Sequence, residues 1–362
     1  MFVSHLSLKD FRSYENLELS LKAGQNIFIG ENGEGKTNII EALMYLALLS
    51  SHRISSDQPL IKLDSERAYI RAKIESDERT TLVELEINNG KANRAKVNQN
   101  PVRSQKELLG LVKSVCFSPE DLDLVRGDPS ERRSFLDQLL IQQSPRLAGV
   151  ISDYERALKQ RNSLLKSRAP ESSLRSWSEH LATFGGEVIA GRIKLINEIE
   201  PLFQIAYKNL SAKKLAKLGY KSSIPAPSSE KEVNKEVMLK VIEEVKSQEI
   251  ERGISLVGPH RDDLILNLGD HPVKGYASHG ESWSIALALR LASYQLFINE
   301  GAKPILILDD VFSELDEGRR EKLLEIADSA EQTFITVAVE NDLPKAIQGA
   351  RFKVELGKVV TL

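Results

Sequence analysis

The sequence has little cysteine and no long apolar run. Cys116 is its single cysteine, which excludes an intramolecular disulfide and is typical of a protein from a reducing compartment. Nowhere do about 18 apolar residues follow one another, and the N-terminal residues lack a basic stretch followed by an apolar one. We therefore expect a cytoplasmic protein with no membrane contact.

The chain also lacks a strong excess of charge of either sign. Its formal net charge is −3, with 49 Lys and Arg against 52 Asp and Glu. No protein-wide positive field would attract nucleic acid, so any such contact needs a local patch. Hydrophobic residues make up 41% of the chain and charged residues 28%, without long biased tracts. This composition excludes a disordered or fibrous protein and predicts a globular one.

The hydrophobic pattern changes along the chain. Residues 2–21 and 68–97 alternate between apolar and polar positions, as strands of an antiparallel sheet do. Through the middle of the chain the spacing becomes mainly helical, and after it buried-strand runs alternate with helices again. The sequence therefore predicts an α/β fold in which a helical region, residues 131–252, interrupts a chain of strands and helices formed by residues 1–130 and 253–362.

A glycine-rich segment follows a short apolar strand and precedes a helical pattern: Gly30-Glu31-Asn32-Gly33-Glu34-Gly35-Lys36-Thr37. Glycines allow backbone N–H groups to turn towards phosphate oxygens, and the N-terminus of the following helix favours an anion. In this mechanism Lys36 reaches the β- and γ-phosphates of a nucleotide and Thr37 binds Mg²⁺. A glycine-rich turn without a ligand is the alternative, but the strand–loop–helix order favours a phosphate site.

A pair of carboxylates follows a second apolar run. Residues 305–308 have the composition of a buried strand, and Asp309 and Asp310 come directly after it. A carboxylate at the end of such a strand can hold Mg²⁺ across from the glycine-rich loop. We assign Asp309 to magnesium and Asp310 to orienting the attacking water, with an acidic cap on the strand end as the alternative.

A third segment, Ser278-His279-Gly280-Glu281, precedes a helical pattern that begins at about Ser282. A hydroxyl group, a glycine and a helix N-terminus coincide there, which is again an arrangement that binds anions. Taken alone, the segment is equally typical of a plain helix cap. Its position shortly before Asp309 favours anion binding.

In this order the segments resemble those of ABC-type ATPase heads. The Walker A motif would be residues 30–37, the signature motif 278–281, the Walker B motif 305–310, and the D-loop 313–316, which ends with Asp316. Within that class the chain resembles the RecF family, which belongs to the same branch as SMC proteins, over nearly its whole length. The segments that carry this resemblance are Phe11-Arg12-Ser13-Tyr14 and residues 117–122, 127–137, 160–165 and 258–264.

The resemblance implies an ABC-type P-loop ATPase head, residues 1–130 and 253–362, with a helical arm domain, residues 131–252. It implies ATP and Mg²⁺ as cofactors and a weak ATPase that acts as an ATP-dependent switch on DNA. The implied partners are gapped DNA or junctions between single- and double-stranded DNA, RecO and RecR, and indirectly RecA. The implied processes are recombinational repair, replication restart and the SOS response.

The family's geometry further implies a head-to-tail homodimer held together by ATP. In that dimer the signature motif, with Ser278, Gly280 and Glu281, contacts the nucleotide held by the glycine-rich loop of a second copy. Asp316 of the D-loop is implied at the nucleotide as well. A contact between Arg12 and the nucleotide is also implied, with a solvated turn arginine as the alternative.

Several departures from the general ABC pattern predict slow hydrolysis. Glu281 stands where glutamine is common, His279 where glycine is common in transporters, and Asp310 where most heads have the catalytic glutamate. Residues 336–338, Thr-Val-Ala, occupy the region of the expected H-loop histidine, and no Q-loop glutamine is evident near Ser118. These absences argue against a transporter ATPase subunit. A P-loop kinase, the other competing interpretation, would leave the signature motif and the D-loop without a role.

Basic residues outnumber acidic ones between Ile151 and Lys221, which predicts contact with the DNA backbone; ordinary solvated helix faces are the alternative. These residues are Arg156, Lys159, Arg161, Lys166, Arg168, Arg175, Arg192, Lys194, Lys208, Lys213, Lys214, Lys217 and Lys221.

Three other groups of residues are expected to be structural. Arg132 and Arg133 should pair with acids such as Glu131 and Asp137 rather than face DNA. The segment His260-Arg261-Asp262-Asp263 predicts a turn and a strand with local ion pairs rather than a metal site. Trp177 and Trp283 should pack in the core rather than stack on bases.

Overall fold

The computed structural model describes the chain except for residues 52, 55, 77, 78, 212, 213, 345 and 346. Lys213, one of the predicted DNA contacts, lies outside the described residues. Contacts divide the chain into two compact units: a first unit of residues 1–121 and 289–362, and a second unit of residues 122–288. The domain limits expected near residues 130 and 253 stay a prediction.

Strands predominate in the N-terminal part of the chain and helices in its middle, and strands and helices alternate in its C-terminal part. The strands are β1 (Phe2–Phe11), β2 (Tyr14–Ser20), β3 (Gly24–Ile29), β4 (Arg67–Glu75), β5 (Thr80–Asn88), β6 (Arg94–Val97), β7 (Asn100–Pro101), β8 (Ser114–Phe117), β9 (Ala216–Lys221), β10 (Asp263–Leu268), β11 (His271–Pro272), β12 (Ile305–Asp309), β13 (Gln332–Val337), β14 (Ala350–Glu355) and β15 (Lys358–Thr361). The α-helices are α1 (Lys36–Leu48), α2 (Leu122–Arg126), α3 (Pro129–Gln143), α4 (Leu147–Lys166), α5 (Glu171–Leu210), α6 (Lys231–Arg252), α7 (His279–Asn299) and α8 (Glu317–Ser329). Among the described residues, no helix is long and apolar enough to cross a membrane.

An antiparallel sheet of the first unit has the strand order β2-β1-β4-β5-β6-β7. Its strands bury alternate residues; in β4, for example, Ala68, Ile70, Ala72 and Ile74 are buried and the residues between them are partly exposed. The pairing of β1 with β2 is antiparallel. The alternation in the sequence therefore predicted this sheet and its first hairpin correctly.

The other sheet of the first unit has the order β15-β14-β3-β13-β12-β8, and its strands are parallel except for β15. Every residue of β12 and β13 is buried, as is typical of parallel strands covered on both faces. Ile335 of β13 pairs with both Ile27 of β3 and Leu308 of β12. Because parallel strands end at the same edge of a sheet, the loop after β3 and the carboxylates after β12 are close together.

Helix α1 lies in the core of the first unit. Ile39, Ile40 and Leu43 belong to a hydrophobic cluster that also contains residues from both sheets. In the same cluster the ring of Phe28 stacks on that of Phe352, with centroids 5.0 Å apart. This burial holds the N-terminal end of α1 at the sheet edge where β3 ends.

The second unit contains α2 to α6 and a small sheet in the order β11-β10-β9. The region predicted to be mainly helical also contains one strand, β9, which pairs antiparallel with β10 and was not predicted. Only Ala216 and Leu218 of β9 are buried. Such a short alternation among lysines gives a weak strand signal within a long helical pattern.

A buried ion pair joins α4 to α6 in the second unit. The Arg161 side chain is 2% exposed and that of Glu249 is 0% exposed, and the Nη2–Oε2 distance is 2.5 Å. The remaining donors of Arg161 bond the hydroxyl groups of Ser178, at 2.9 Å, and Ser255, at 2.8 Å. Arg161 therefore holds the helices together and cannot contact a DNA phosphate, contrary to its place among the basic candidates.

Arg192 is also excluded as a candidate for DNA contact. Its side chain is 4% exposed, and it donates to both carboxylate oxygens of Asp137, at 2.9 and 2.8 Å. A third bond, at 2.8 Å, reaches the carbonyl oxygen of Pro259. The sequence could not separate these two buried arginines from exposed ones, because a residue list does not show which side of a helix is covered.

We expect Arg161→Met to destabilise the second unit by about 3–5 kcal/mol, since it leaves the Glu249 carboxylate buried without its counter-charge. The measurement is urea unfolding followed by tryptophan fluorescence, because both tryptophans, Trp177 and Trp283, belong to this unit. The double variant Arg161→Met/Glu249→Gln should recover much of the loss. Equal unfolding midpoints for the single and the double variant would contradict this account of the pair.

Candidate phosphate-binding site

A cavity of about 480 Å³ lies at the edge of the parallel sheet, a volume in the range of small-ligand sites. The described residues that line it are Asn32, Gly33, Gly35, Lys36, Thr37, Asn38, Arg53, Pro119, Asp310, Phe312, Ser313, Glu314, Val337, Ala338 and Asp342. The fold thus brings most of the glycine-rich loop together with Asp310, as the sequence predicted. Pro119 and Asp342 were not predicted as site residues, although Pro119 lies in the segment 117–122 that carries part of the family resemblance.

Glycine gives the loop a conformation that other residues rarely adopt. Gly33 has φ +92°, and Gly35, which is the N-cap of α1, has φ +114°. A Cβ on Gly35 would lie 2.8 Å from the hydroxyl oxygen of Tyr14, which donates a hydrogen bond to the Gly35 carbonyl. The first turn of α1, described in full, carries no acidic residue. Its positive end is therefore available to an anion.

Gly30 is required for a different reason. A Cβ on Gly30 would lie 2.3 Å from the carbonyl oxygen of Val354 in β14. Two more contacts tie the loop to the β14–β15 turn: Leu356 N–H donates to the Glu34 carboxylate, and Gly357 N–H donates to the Glu34 carbonyl at 3.3 Å. The C-terminal hairpin therefore supports the loop, which the loop's own sequence does not reveal.

The Lys36 ammonium group points back into the loop. Its side chain is 3% exposed, and Nζ donates to the carbonyl oxygens of Gly30, at 2.7 Å, and Glu31, at 3.2 Å. Nζ also lies 3.4 Å from Oδ1 of Asn32 and 3.7 Å from Oδ2 of Asp310. A buried cation among oxygen acceptors beside the cavity is placed to bind a phosphate oxygen.

Asp309 and Asp310 are held by a residue that sequence reasoning did not assign to the site. The hydroxyl group of Thr336 donates to Oδ1 of Asp309, at 2.5 Å, and accepts the N–H of Asp310, at 2.9 Å. Asp310 itself has φ +49°, in the left-handed region. The sequence marked Thr336 only as the beginning of the segment that lacks the H-loop histidine.

Burial changes the acid–base chemistry of both carboxylates. Burial raises the pKa of Asp309 to about 6, against the hydrogen bond from Thr336, and the charge of Asp310 acts in the same direction as burial. The pKa of Asp310 is raised as well, chiefly by burial, while the charge of Lys36 opposes the rise. Because burial is the main cause, the raised pKa shows that the ionised form of each carboxylate costs free energy in this environment.

Arg12 binds residues outside the lining of this cavity. Its Nε and Nη2 donate to the two carboxylate oxygens of Glu41, at 2.7 and 2.6 Å, and its Nη1 donates to the Pro59 carbonyl, at 2.9 Å. Although burial acts to raise the pKa of Glu41, hydrogen bonds from Arg12 and Ser51 bring it below its usual value. Arg12 lines a neighbouring cavity of about 650 Å³ that shares Asn38 with the first. Its contact with a nucleotide stays a prediction.

Asp316 begins α8 as its N-cap. Its carboxylate accepts the backbone N–H of Arg319, at 3.0 Å, and also pairs with the Arg319 side chain. Two other residues of the predicted D-loop, Ser313 and Glu314, line the cavity. A role of Asp316 at a nucleotide stays a prediction.

Ser278, Gly280 and Glu281 belong to the second unit, where α7 begins at His279. The N–H of Ser278 donates to Oε2 of Glu281, at 2.9 Å, and the N–H of Glu281 donates to Oγ of Ser278, at 3.2 Å. Reciprocal bonds of this kind form a capping box. The segment therefore caps α7, as the helix-cap interpretation predicted. Anion binding at the same helix end stays a prediction.

The segment from His260 to Asp263 is structural. It forms a turn followed by β10, as predicted, and Arg132 forms two bonds with Asp263, at 2.7 and 2.9 Å. Arg133 donates to the Asp262 carbonyl, at 2.9 Å. These arginines are thus structural, but their partners are not the predicted Glu131 and Asp137. Across the described part of the chain, no group of three or more His, Cys, Asp or Glu side chains could hold a metal ion.

Comparisons with known proteins agree on one family. The model of the family described as "RecF/RecN/SMC N terminal domain" matches residues 2–355. The "DNA replication and repair protein RecF" of Streptomyces avermitilis is 51% identical over 371 residues, which cover 99% of each chain. The protein of the same name from Kineococcus radiotolerans is 49% identical over 374 residues, which cover 96% of each chain.

Solved structures support the same conclusion. The structure titled "recombination mediator protein RecF-ATP in RecFOR pathway" superposes with a TM-score of 0.91 at 28% identity, covering 100% of this chain and 97% of the other. An Smc head domain from Pyrococcus furiosus gives a TM-score of 0.56 at 17% identity, covering 100% of this chain and 96% of the other, and shows the fold alone. The predicted α/β fold, an ABC-type ATPase head with a helical arm, is confirmed.

We expect Asp309→Asn to stabilise the ligand-free protein above pH 6. The folded-state pKa of about 6 exceeds the ordinary value of 3.8. The free energy of unfolding therefore falls as pH rises from about 4 to 6, because the buried carboxyl group must ionise, and it stays lower by the same amount above pH 6. The gain at pH 8 should be roughly 3 kcal/mol and should shrink towards pH 4. Urea unfolding followed by circular dichroism between pH 5 and 8 measures it, with Asp270→Asn, at an exposed turn position, as control. A gain independent of pH would contradict the burial argument.

Proposed function

The chain belongs to the RecF family, and we propose that it acts in DNA replication and repair as an ATP-dependent, DNA-binding recombination mediator. It would act at gapped DNA or at junctions of single- and double-stranded DNA, and with RecO and RecR it would assist the loading of RecA. Recombinational repair, replication restart and the SOS response are the processes concerned. The sequence identity of 51% and 49%, over nearly the whole chain, to two proteins named RecF supports this proposal.

The single observation that carries the proposal is the cavity lined by Gly33, Gly35, Lys36 and Thr37 at the N-terminus of α1. Backbone N–H groups there and the ammonium group of Lys36 would bind the phosphates of ATP. The relative solved with ATP shares this fold along its whole length. The nucleotide would also draw the Lys36 ammonium away from the carbonyl oxygens that it contacts now.

Mg²⁺ fits the same edge of the sheet. Thr37 lines the cavity, and Asp309 is a buried carboxylate at the end of β12, next to Asp310, which also lines the cavity. Thr37 and Asp309 would hold the ion, and Thr336 would keep the Asp309 carboxylate oriented through its hydroxyl group. When bound, Mg²⁺ neutralises charge on the phosphate oxygens.

Asp310 is proposed to orient the attacking water for slow hydrolysis. Its carboxylate lines the cavity, and its backbone is fixed by the bond to Thr336. Aspartate reaches less far into the cavity than the glutamate that is usual in ABC heads, and apolar Val337 and Ala338 line the cavity where a histidine would be expected. Both features support a switch with slow turnover.

A second copy of the chain is proposed to complete the site. Its Ser278, Gly280 and Glu281 would approach the terminal phosphate, and α7 would present its N-terminus. Asp316 and Arg12 are proposed to assist at the nucleotide. ATP would then hold the dimer together, and hydrolysis would release it.

DNA contact is proposed for the exposed basic residues of the second unit. After Arg161 and Arg192 are removed, and with Lys214 set aside because it pairs with Glu281, exposed candidates remain in α4, α5 and β9 and directly after α4: Arg156, Lys159, Lys166, Arg168, Arg175, Lys194, Lys208, Lys217 and Lys221. Contacts with the phosphate backbone do not require base recognition, which suits a protein that binds a DNA structure rather than a sequence.

We expect Lys36→Met and Ser278→Arg to separate the two halves of the site. Lys36→Met should lose ATP binding, whereas Ser278→Arg should keep ATP binding by the monomer and lose ATP-dependent self-association. Sedimentation with and without ATP and gapped DNA distinguishes these outcomes, with the exposed Lys322→Met as a control that should match wild type. If wild type and Lys36→Met bind gapped DNA identically and neither self-associates with ATP, the proposed clamp is wrong.

We also expect Asp310→Asn to reduce ATP turnover on the order of 10²-fold, because it removes the carboxylate proposed to orient the attacking water. ATP affinity should change little. Asp342→Asn is the matched control, since Asp342 lines the same cavity without an assigned role. A single-turnover rate for Asp310→Asn equal to that of wild type would remove Asp310 from the mechanism.

A further inference from the structure

A lysine from outside the signature motif contacts its glutamate. Nζ of Lys214 lies 2.8 Å from Oε1 of Glu281, 67 residues further along the chain. Lys214 stands between the long helix α5 and strand β9. The other oxygen of the carboxylate, Oε2, accepts the N–H of Ser278, at 2.9 Å. Glu281 therefore connects Lys214 directly to Ser278.

The position of Ser278 depends on this small network. Its Oγ accepts the N–H of Glu281, at 3.2 Å, and its carbonyl oxygen accepts the hydroxyl group of Ser282, at 2.9 Å. In the capping box, rotation of the Glu281 side chain would break the bond to the Ser278 N–H. The ion pair with Lys214 restricts that rotation, because it fixes the second carboxylate oxygen.

The charge of Glu281 opposes the proposed role of this helix end. A carboxylate beside Ser278 would repel a terminal phosphate brought there by a second copy. Protonation does not remove the charge at neutral pH, since the bond to Lys214 first, and the bonds to Ser278 after it, lower the pKa of Glu281 to about 2. Lys214 supplies a positive charge at 2.8 Å. With Lys214 in place, the pair is neutral.

We propose that Lys214 is a positioning and charge-compensating residue of the signature motif, which allows Glu281 to cap α7 without repelling the phosphate of the second copy. The inference rests on the proposed ATP-dependent dimer. It assigns Lys214 a role in nucleotide-dependent self-association that does not require DNA. Most ABC heads need no such lysine, because the glutamine that is common at the position of Glu281 carries no charge.

The test compares Lys214→Met, Glu281→Gln and the double variant Lys214→Met/Glu281→Gln in the full chain without DNA. ATP-dependent self-association is measured by sedimentation at low and high salt, and ATP binding by the monomer is measured in parallel. Lys246→Met is the matched control, since it removes a Lys–Glu pair from the same unit, with Glu171 and Glu243 as partners. Thermal unfolding verifies that each variant is folded.

Lys214→Met should weaken self-association roughly tenfold, as expected for one uncompensated charge near an anion. The defect should shrink at high salt, which screens the repulsion. Glu281→Gln leaves the positive charge of Lys214 unpaired beside the phosphate and should therefore strengthen self-association relative to wild type. The double variant should recover most of the loss seen in Lys214→Met, because it contains neither charge. Monomer ATP binding should be unchanged throughout.

Two results would overturn the inference while leaving the proposed dimer intact. One is wild-type self-association in Lys214→Met, and the other is an equal defect in Lys214→Met and the double variant. Failure of wild type itself to self-associate with ATP would instead overturn the dimer, and the role of Lys214 with it. A defect in Lys214→Met that appears only when DNA is added would assign Lys214 to DNA contact and would also contradict the inference.

Discussion

The candidate site depends on the parallel pairing of β13 with both β3 and β12. This pairing brings the C-terminal ends of three strands to one edge of a sheet. The glycine-rich loop follows β3, the Asp309–Asp310 pair lies at the end of β12, and Thr336 lies near the end of β13. The proposed nucleotide site needs the loop and the carboxylates together, since the carboxylates lack a phosphate-binding backbone. Complete burial of β12 and β13 prevents a shift of register that would separate them. The hydrophobic core therefore determines the chemistry of the edge.

Charge at this edge is arranged for ligands that come from outside. Lys36 is buried among carbonyl oxygens, and Asp309 is buried with a hydroxyl group as its hydrogen-bond donor. The carboxylate nearest to Lys36 in this arrangement is that of Asp310, and it lies 3.7 Å from Nζ, beyond hydrogen-bond distance. A triphosphate and a divalent cation would satisfy both groups together. Charges that are positioned before the ligand arrives lower the stability of the ligand-free protein, and they bind the ligand more tightly because they need no rearrangement.

The sequence predicted the parts of the site that are local in the chain. The order strand, glycine-rich loop and helix identifies Lys36 and Thr37, and an apolar run followed by acids identifies Asp309, because spacing alone defines these motifs. Thr336 and Val354 were not predicted as parts of the site, since their contacts join residues 26 or more positions apart and follow only from the sheet order. The nucleotide role implied for Arg12 has the same difficulty: its partner Glu41 could be found only after α1 was placed against the loop that follows β1.

The second unit shows why charge counting along a sequence has limited power. Arg161 and Arg192 contribute to the basic excess, yet both are buried in ion pairs that hold the unit together. Lys214 also counts toward that excess, and its contact is with the signature glutamate. A basic residue can therefore stabilise a fold, compensate a charge at a motif or face DNA, and only the partner distinguishes these roles. In this chain the departure at Glu281 and the lysine beside it are best understood as one feature. Under the proposed dimer, a carboxylate that caps α7 through Ser278 could remain at a helix end that binds an anion, because Lys214 neutralises it.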